Sequence, residues 1–350
     1  MVHAFTNLQH IYLEILPTNY DDQVLNMLKG HFCVDDLTLS VLSLKHHGKL
    51  RCVKRLTLVG DVPINFTPAE QHRVYSYLRN HLMWAFSAFQ DPSLAHNHCS
   101  CELTPLINIL EEPDKLEHIK IKGFPLINGC PKHVDLQLFF KNLTGIKHLH
   151  ITEVNVGESN LSALLRTGTL ASNILTLEVS HNHITYDETE KILRNLPLNL
   201  QSLLLNDIIP SNYSMSELSE SLAKLADLHS LTLRRNNITS DYLQILLNSL
   251  GNHLHSLDLS CNPRIFDKEV GFEALAQISQ LKRLNLTGCE IKEKDETLFH
   301  NVLNKLANLE SLSICRPSGA KQKNRQNFTK AFNNLSKLKH FSLLDCFHNC

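Results

Sequence analysis

The sequence predicts an α/β solenoid, a horseshoe of roughly 11–12 units with a concave parallel sheet and convex helices. Three observations predict it. One apolar phrase recurs at a nearly constant stride, apolar positions inside each copy alternate as in a short strand, and the residues between copies carry helical stripes.

The phrase is apolar, two residues, apolar, one residue, apolar, two residues, then often Asn or Cys. Clear copies begin at Leu228, Leu254 and Leu281, and a fourth begins at Ile174. Weaker copies begin at Leu8, Val34, Val53, Leu116, Ile146, Leu200, Leu309 and Leu338. From Leu116 onward the intervals are 30, 28, 26, 28, 26, 27, 28 and 29 residues. A stride this steady marks stacked units, each burying its core only against its neighbours.

Within one copy, period-two alternation sends Leu231 and Leu233 inward and leaves Thr232 and Arg234 outside. Asn236 follows at the bend, where a buried amide can satisfy backbone groups that the turn leaves unpaired. Cys289 and Cys346 take the same place, whereas Ile208, Val154 and Phe124 depart from it and predict interruptions in the amide ladder. Leu218, Leu222 and Leu225 then fall at i, i+4 and i+7. Leu243, Leu246, Leu247 and Leu250 repeat the stripe, as do Phe272, Leu275 and Ile278, then Leu298, Val302 and Leu306.

These copies resemble the leucine-rich-repeat family, and its long-repeat, ribonuclease-inhibitor-like class in particular. The resemblance spans nearly the whole chain and implies a non-enzymatic scaffold that binds a partner protein on its concave face. It allows several employments: the substrate-recognition part of a ubiquitin ligase, a GTPase-activating or inhibitory regulator, or the ligand-sensing array of a larger immune-type receptor. Neither an F-box nor an elongin-binding box is convincing here, and the acidic tail of the GTPase activator's family is missing.

The rhythm divides the chain into N-terminal repeats over 1–64, an irregular insertion or degenerate repeat with a mobile loop over 65–115, and regular repeats over 116–350. The 63-residue step from Val53 to Leu116 is about twice the period. Weak polar capping at both ends is compatible with a fragment or isoform of a longer protein.

Composition narrows the function. Lys plus Arg is 34 against 35 for Asp plus Glu, so no global field favours nucleic acid or membrane. No apolar run reaches the roughly 18–20 residues of a membrane span. The start lacks a basic segment followed by an apolar one, so a cytoplasmic or nuclear location is expected. The ten cysteines form no regular framework and are expected to be reduced thiols. The expected molecule is a monomer or part of a larger complex.

Motifs for catalysis are not found. The chain has no phosphate-binding loop, no HExxH pair and no GxSxG elbow. No cofactor is expected. His96-Asn97-His98-Cys99-Ser100-Cys101 holds two imidazoles and two thiols, but its spacing is too tight for a zinc knuckle. It reads better as a loop with incidental His and Cys, and no metal is expected.

The outward strand positions are the candidate binding residues. Stacked in register, His118 sits beside His148, and Lys120 beside His150 and then Glu178, with Lys122 two residues farther along. Neighbouring strands lie about 4.8 Å apart, so these side chains form a compact basic, His-rich patch. Farther on, Asn206 neighbours Arg234 and Asp207 neighbours Arg235, with Asp258 diagonally close. The plain alternative is a solvated surface with weak cross-strand ion pairs. Ser202, Ser230, Ser256 and Ser311 share one register position as a column of small polar residues.

Overall fold

Alternation inside each phrase produces strands, and the constant stride stacks them. The computed structural model describes residues 10–13, 36–40, 55–59, 113–122, 140, 143–152, 160–166, 168–180, 184–210, 213–250, 253–315 and 335–344. The chain forms two compact units. One is Met1–Ile174 with His181–Ile184, and the other is Leu175–Ser180 with Thr185–Cys350.

In the first unit, β1 (His10–Leu13), β2 (Asp36–Ser40), β3 (Arg55–Val59), β4 (His118–Lys122) and β5 (His148–Thr152) pair in sequence order, all parallel. β3 pairs directly with β4 although residues 60–117 lie between them. Residues 60–112, which include the His96–Cys101 cluster, fall outside the described residues. Helices α1 (Asn160–Arg166) and α2 (Gly168–Asn173) follow β5. Leu116, Ile119, Ile121, Ile146, Leu149 and Ile151 are fully buried, the inward half of the alternation.

The second unit contains β6 (Thr176–Ser180), β7 (Ser202–Leu204), β8 (Ser230–Thr232), β9 (Ser256–Asp258), β10 (Arg283–Leu286), β11 (Ser311–Cys315) and β12 (His340–Leu344), again parallel and in order. Between them run α3 (Tyr186–Arg194), α4 (Met215–Ala223), α5 (Ser240–Ser249), α6 (Glu269–Ala276) and α7 (Glu296–Lys305). Three of these helices start at hydroxyl caps. Thr185, Ser214 and Thr239 accept from the backbone N–H of Glu188, Glu217 and Tyr242, and Glu188 reaches back to the Thr185 N–H at 2.8 Å. Each cap meets one donor that the first helical turn leaves without a helical partner.

The bend after each strand is sealed by side-chain amides. Asn236 Oδ1 accepts from the backbone N–H of Ile208 and Ile209 at 3.2 and 3.0 Å, and its Nδ2 donates to the Leu205 carbonyl. One repeat on, Asn262 Oδ1 accepts from the N–H of Asn236 and Ile238, both at 3.0 Å. Its Nδ2 donates to the carbonyls of Leu233 and Leu259. Cys289 continues the column with its thiol donating to the Leu259 carbonyl at 3.1 Å. Ile208 supplies no polar group, as its position predicts, yet its own N–H is still met by Asn236; the interruption is one-sided. Asn182, Val154, Phe124 and Cys346 lie outside the described residues.

The residue just before each ladder position adopts a left-handed backbone: Asp207 (φ 55°), Arg235 (φ 57°), Cys261 (φ 57°) and Gly288 (φ 76°). Only Gly288 takes it without steric cost. Cys261 and Cys315 are each disulfide-bonded, which departs from the expectation of reduced thiols throughout, and Cys289 is a buried free thiol.

Candidate functional site: the outward face of the strands

Each strand buries alternate residues, so the others make a polar face. In the second unit, Leu203, Leu231 and Leu257 are at most 1% exposed, while Ser202, Ser230 and Ser256 beside them keep partial exposure. Registers Ser202↔Ser230↔Ser256 place those serines side by side, and the row continues through Arg283, Ser311 and His340.

In the first unit the face has a different chemistry. Registers Arg55↔His118↔His148 and Thr57↔Lys120↔His150 set two rows across β3, β4 and β5, and Lys122 stands opposite Thr152 in a third. The His118 and His148 rings stack, with centroids 4.0 Å apart and planes 9° from parallel. Burial first, and neighbouring positive groups second, hold both imidazoles below their ordinary proton affinity. Those neighbours include His148 and Arg55 around His118, and His150 and Lys147 around His148. Glu117 opposes this shift at both rings. Its own carboxylate accepts from Lys147 Nζ at 2.7 Å, which holds it below the usual carboxylate range.

The candidate residues of the second unit come together less than their spacing implied. Glu178 sits at an outward, half-buried position of β6. Asn206 does meet Arg234, but through the backbone: its Oδ1 accepts from the Arg234 N–H at 3.3 Å. The expected closeness of Asp258 to the arginines is not realised as an ion pair. Asp258 instead accepts from Asn285 Nδ2 and from the Ser260 N–H, both at 2.8 Å. A short carboxylate satisfied by its nearest neighbours has no reach left for a diagonal partner. Asp207 and Arg235 occupy equivalent left-handed turn positions, and Arg235 Nε is buried with no hydrogen-bond partner among the described residues. Arg234 is exposed and makes no side-chain ion pair among the described residues.

Two cations of the face escaped the sequence reading. Arg55 stands in register with His118, and the exposed Arg283 with Ser256. Both occupy the repeat position of His118 and Ser256, so aligning every copy, including the weak one at Val53, exposes them. Among the described residues no three His, Cys, Asp or Glu gather as a metal site, and no helix is long and apolar enough to cross a membrane.

No protein-family model and no curated protein matches the chain. Among solved structures, the leucine-rich repeat-containing protein LegL7 from Legionella pneumophila is similar over 93% of this chain and 97% of its own length, with 16% identity and a TM-score of 0.51. The fold is the leucine-rich repeat. A structure of TLR13 in complex with ssRNA13 is similar over 91% of this chain and 45% of that chain, with 14% identity and a TM-score of 0.39. At 16% identity the likeness to LegL7 is one of fold. It accounts for the parallel leucine-rich-repeat strands and leaves the outward side chains to be read on their own chemistry.

Proposed function

We propose that this leucine-rich-repeat protein is a non-enzymatic scaffold that grips a partner protein on the outward face of its strands. The observation that carries the reading is the alternation itself: fully buried leucines alternate with outward hydroxyl, amide, imidazole and cationic groups. Repeat arrays bind partners on such extended surfaces. The outward groups of the described strands are spread in rows, which favours contact with a macromolecule over a small substrate.

Affinity purification with mass spectrometry tests the reading. Wild type is compared with a variant carrying Lys120→Glu, Arg234→Glu and Arg283→Glu, all at exposed positions. Arg235 is left unchanged because its buried Nε and left-handed backbone tie it to the fold. With the variant's circular dichroism unchanged, partners recovered only with wild type place binding on this face. An identical partner set refutes the reading. Recovery of a cullin or elongin among the lost proteins assigns the scaffold to substrate recognition in a ubiquitin ligase.

A further inference from the structure

The rows across β3, β4 and β5 carry a local charge that the near-neutral chain as a whole does not. Arg55, His118 and His148 form one row, and Lys120 and His150 lie in the next. Lys122 stands in the third row at the end of β4. No acid occupies the six positions of the first two rows, Arg55, His118 and His148, then Thr57, Lys120 and His150. The Glu117 carboxylate accepts from Lys147, and Asp36 stands in register with Arg55 on β2. Lys120 is exposed, and its ammonium has no hydrogen-bond or ion-pair partner among the described residues.

Resting on the reading of this face as a protein-binding surface, we propose that β3–β5 receives an acidic, extended segment of the partner, with its carboxylates over Lys120 and the stacked His118 and His148. Charge complementarity selects this occupant. Side chains on one face of an extended peptide repeat about every 6.8 Å, the same spacing as the rows along the receiving strands. A nucleic acid fits less well. It needs a dense field of permanent cations, and three members of this grid are imidazoles, two of which burial keeps neutral near pH 7.

The geometry makes the docking proton-linked. Two rings stacked at 4.0 Å resist a second positive charge, and Arg55, Lys147 and His150 around them resist the first. Glu117 opposes them at both rings. Carboxylates arriving from the partner reverse that balance, so the imidazoles take up protons on binding and affinity rises as pH falls. Uptake of one proton gives about tenfold per pH unit at most.

The test uses the full chain and a fluorescently labelled, acetylated hexa-aspartate peptide, followed by anisotropy at pH 7.5 and pH 6.0 and constant ionic strength. The expected result is saturable binding that tightens about tenfold between the two pH values. Lys120→Glu weakens it roughly fivefold or more at both pH values. His118→Gln with His148→Gln keeps the pH 7.5 affinity and loses the gain at pH 6.0. No saturable binding, binding unaffected by Lys120→Glu, or tighter binding of a hexathymidylate overturns the proposal. Protein partners retained by Lys120→Glu but lost with Arg234→Glu and Arg283→Glu sink this assignment while the scaffold reading stands. Partners that ignore all three changes sink both.

Discussion

Replacing Asn262 with Ala measures what the amide ladder contributes. Asn262 is fully buried, and its Oδ1 is the acceptor for the N–H groups of Asn236 and Ile238. Truncation leaves both donors unmet in the interior. At about 1–3 kcal/mol for each orphaned buried group, the two donors alone predict a loss of about 2–6 kcal/mol. The Leu233 and Leu259 carbonyls also lose a donor, although Leu259 keeps the Cys289 thiol. Asn262→Cys supplies the natural comparison, because Cys289 holds the equivalent bend one repeat on. A thiol is a weak donor and acceptor, so the Cys variant is expected to fall between wild type and Ala. A global unfolding midpoint does not say which repeats lose stability. Hydrogen exchange at the Asn236 and Ile238 amides reports the local opening directly. Protection at those amides should drop far more than at Ile119 or Ile121 in the first unit. A loss below about 1 kcal/mol at both amides would refute the ladder as the seal of these bends.

Two further outcomes follow from packing and from titration. A methyl group at Gly271 would sit 2.0 Å from the Ile265 carbonyl oxygen, a backbone atom that cannot swing aside. Gly271→Ala is therefore expected to cost about 3 kcal/mol or more, read as a lowered denaturation midpoint, and a midpoint equal to wild type would contradict this packing. The stability profile with pH should show two windows. His118 and His148 bind protons less readily folded than unfolded, so their contribution is complete above about pH 6.5 and is lost as pH falls through their lowered folded values. Glu117 and Asp267 are also lowered, so their contribution is present above the ordinary carboxylate range and is lost on acidification below it. Urea titrations at pH 7.5, 6.0 and 4.0 should show both declines, and His118→Gln with His148→Gln should flatten only the upper one.

The fold was legible because its determinants are short and repeated. A leucine at each inward position and a stride near 27 residues suffice to specify strand, register and neighbour, and the registers observed are those the aligned phrases imply. The bend was legible in part. Asn236 and Asn262 announce themselves as amides in a column, but the left-handed backbone one residue earlier falls on Asp207, Arg235 and Cys261, which carry no such signature. The candidate site was legible as register and illegible as contact. Arranging His118 beside His148 needs only the stride, whereas Asp258 turning to Asn285 and to its own backbone depends on rotamers that spacing does not encode.

That division has a physical cause that bears on function. The inward positions answer to one demand, the exclusion of water from a continuous core, so every repeat gives nearly the same answer and the pattern emerges. The outward positions answer to each other and to whatever covers them. Some are already committed to the fold: Ser180 accepts from Asn206, Asn206 from the Arg234 backbone, and Asp258 from Ser260. Those residues seal strand ends, and mutating them would disturb the array before any partner noticed. Lys120, Arg234 and Arg283 carry no such duty, since each is exposed and makes no ion pair with another described side chain. A cation held out from the sheet costs the fold little and offers a partner a point of charge, so these three are the positions at which binding and stability separate. Reversing them one at a time should alter partner affinity and its salt dependence while leaving the urea midpoint within about 0.5 kcal/mol of wild type; a parallel loss of both would show that the face serves the fold instead.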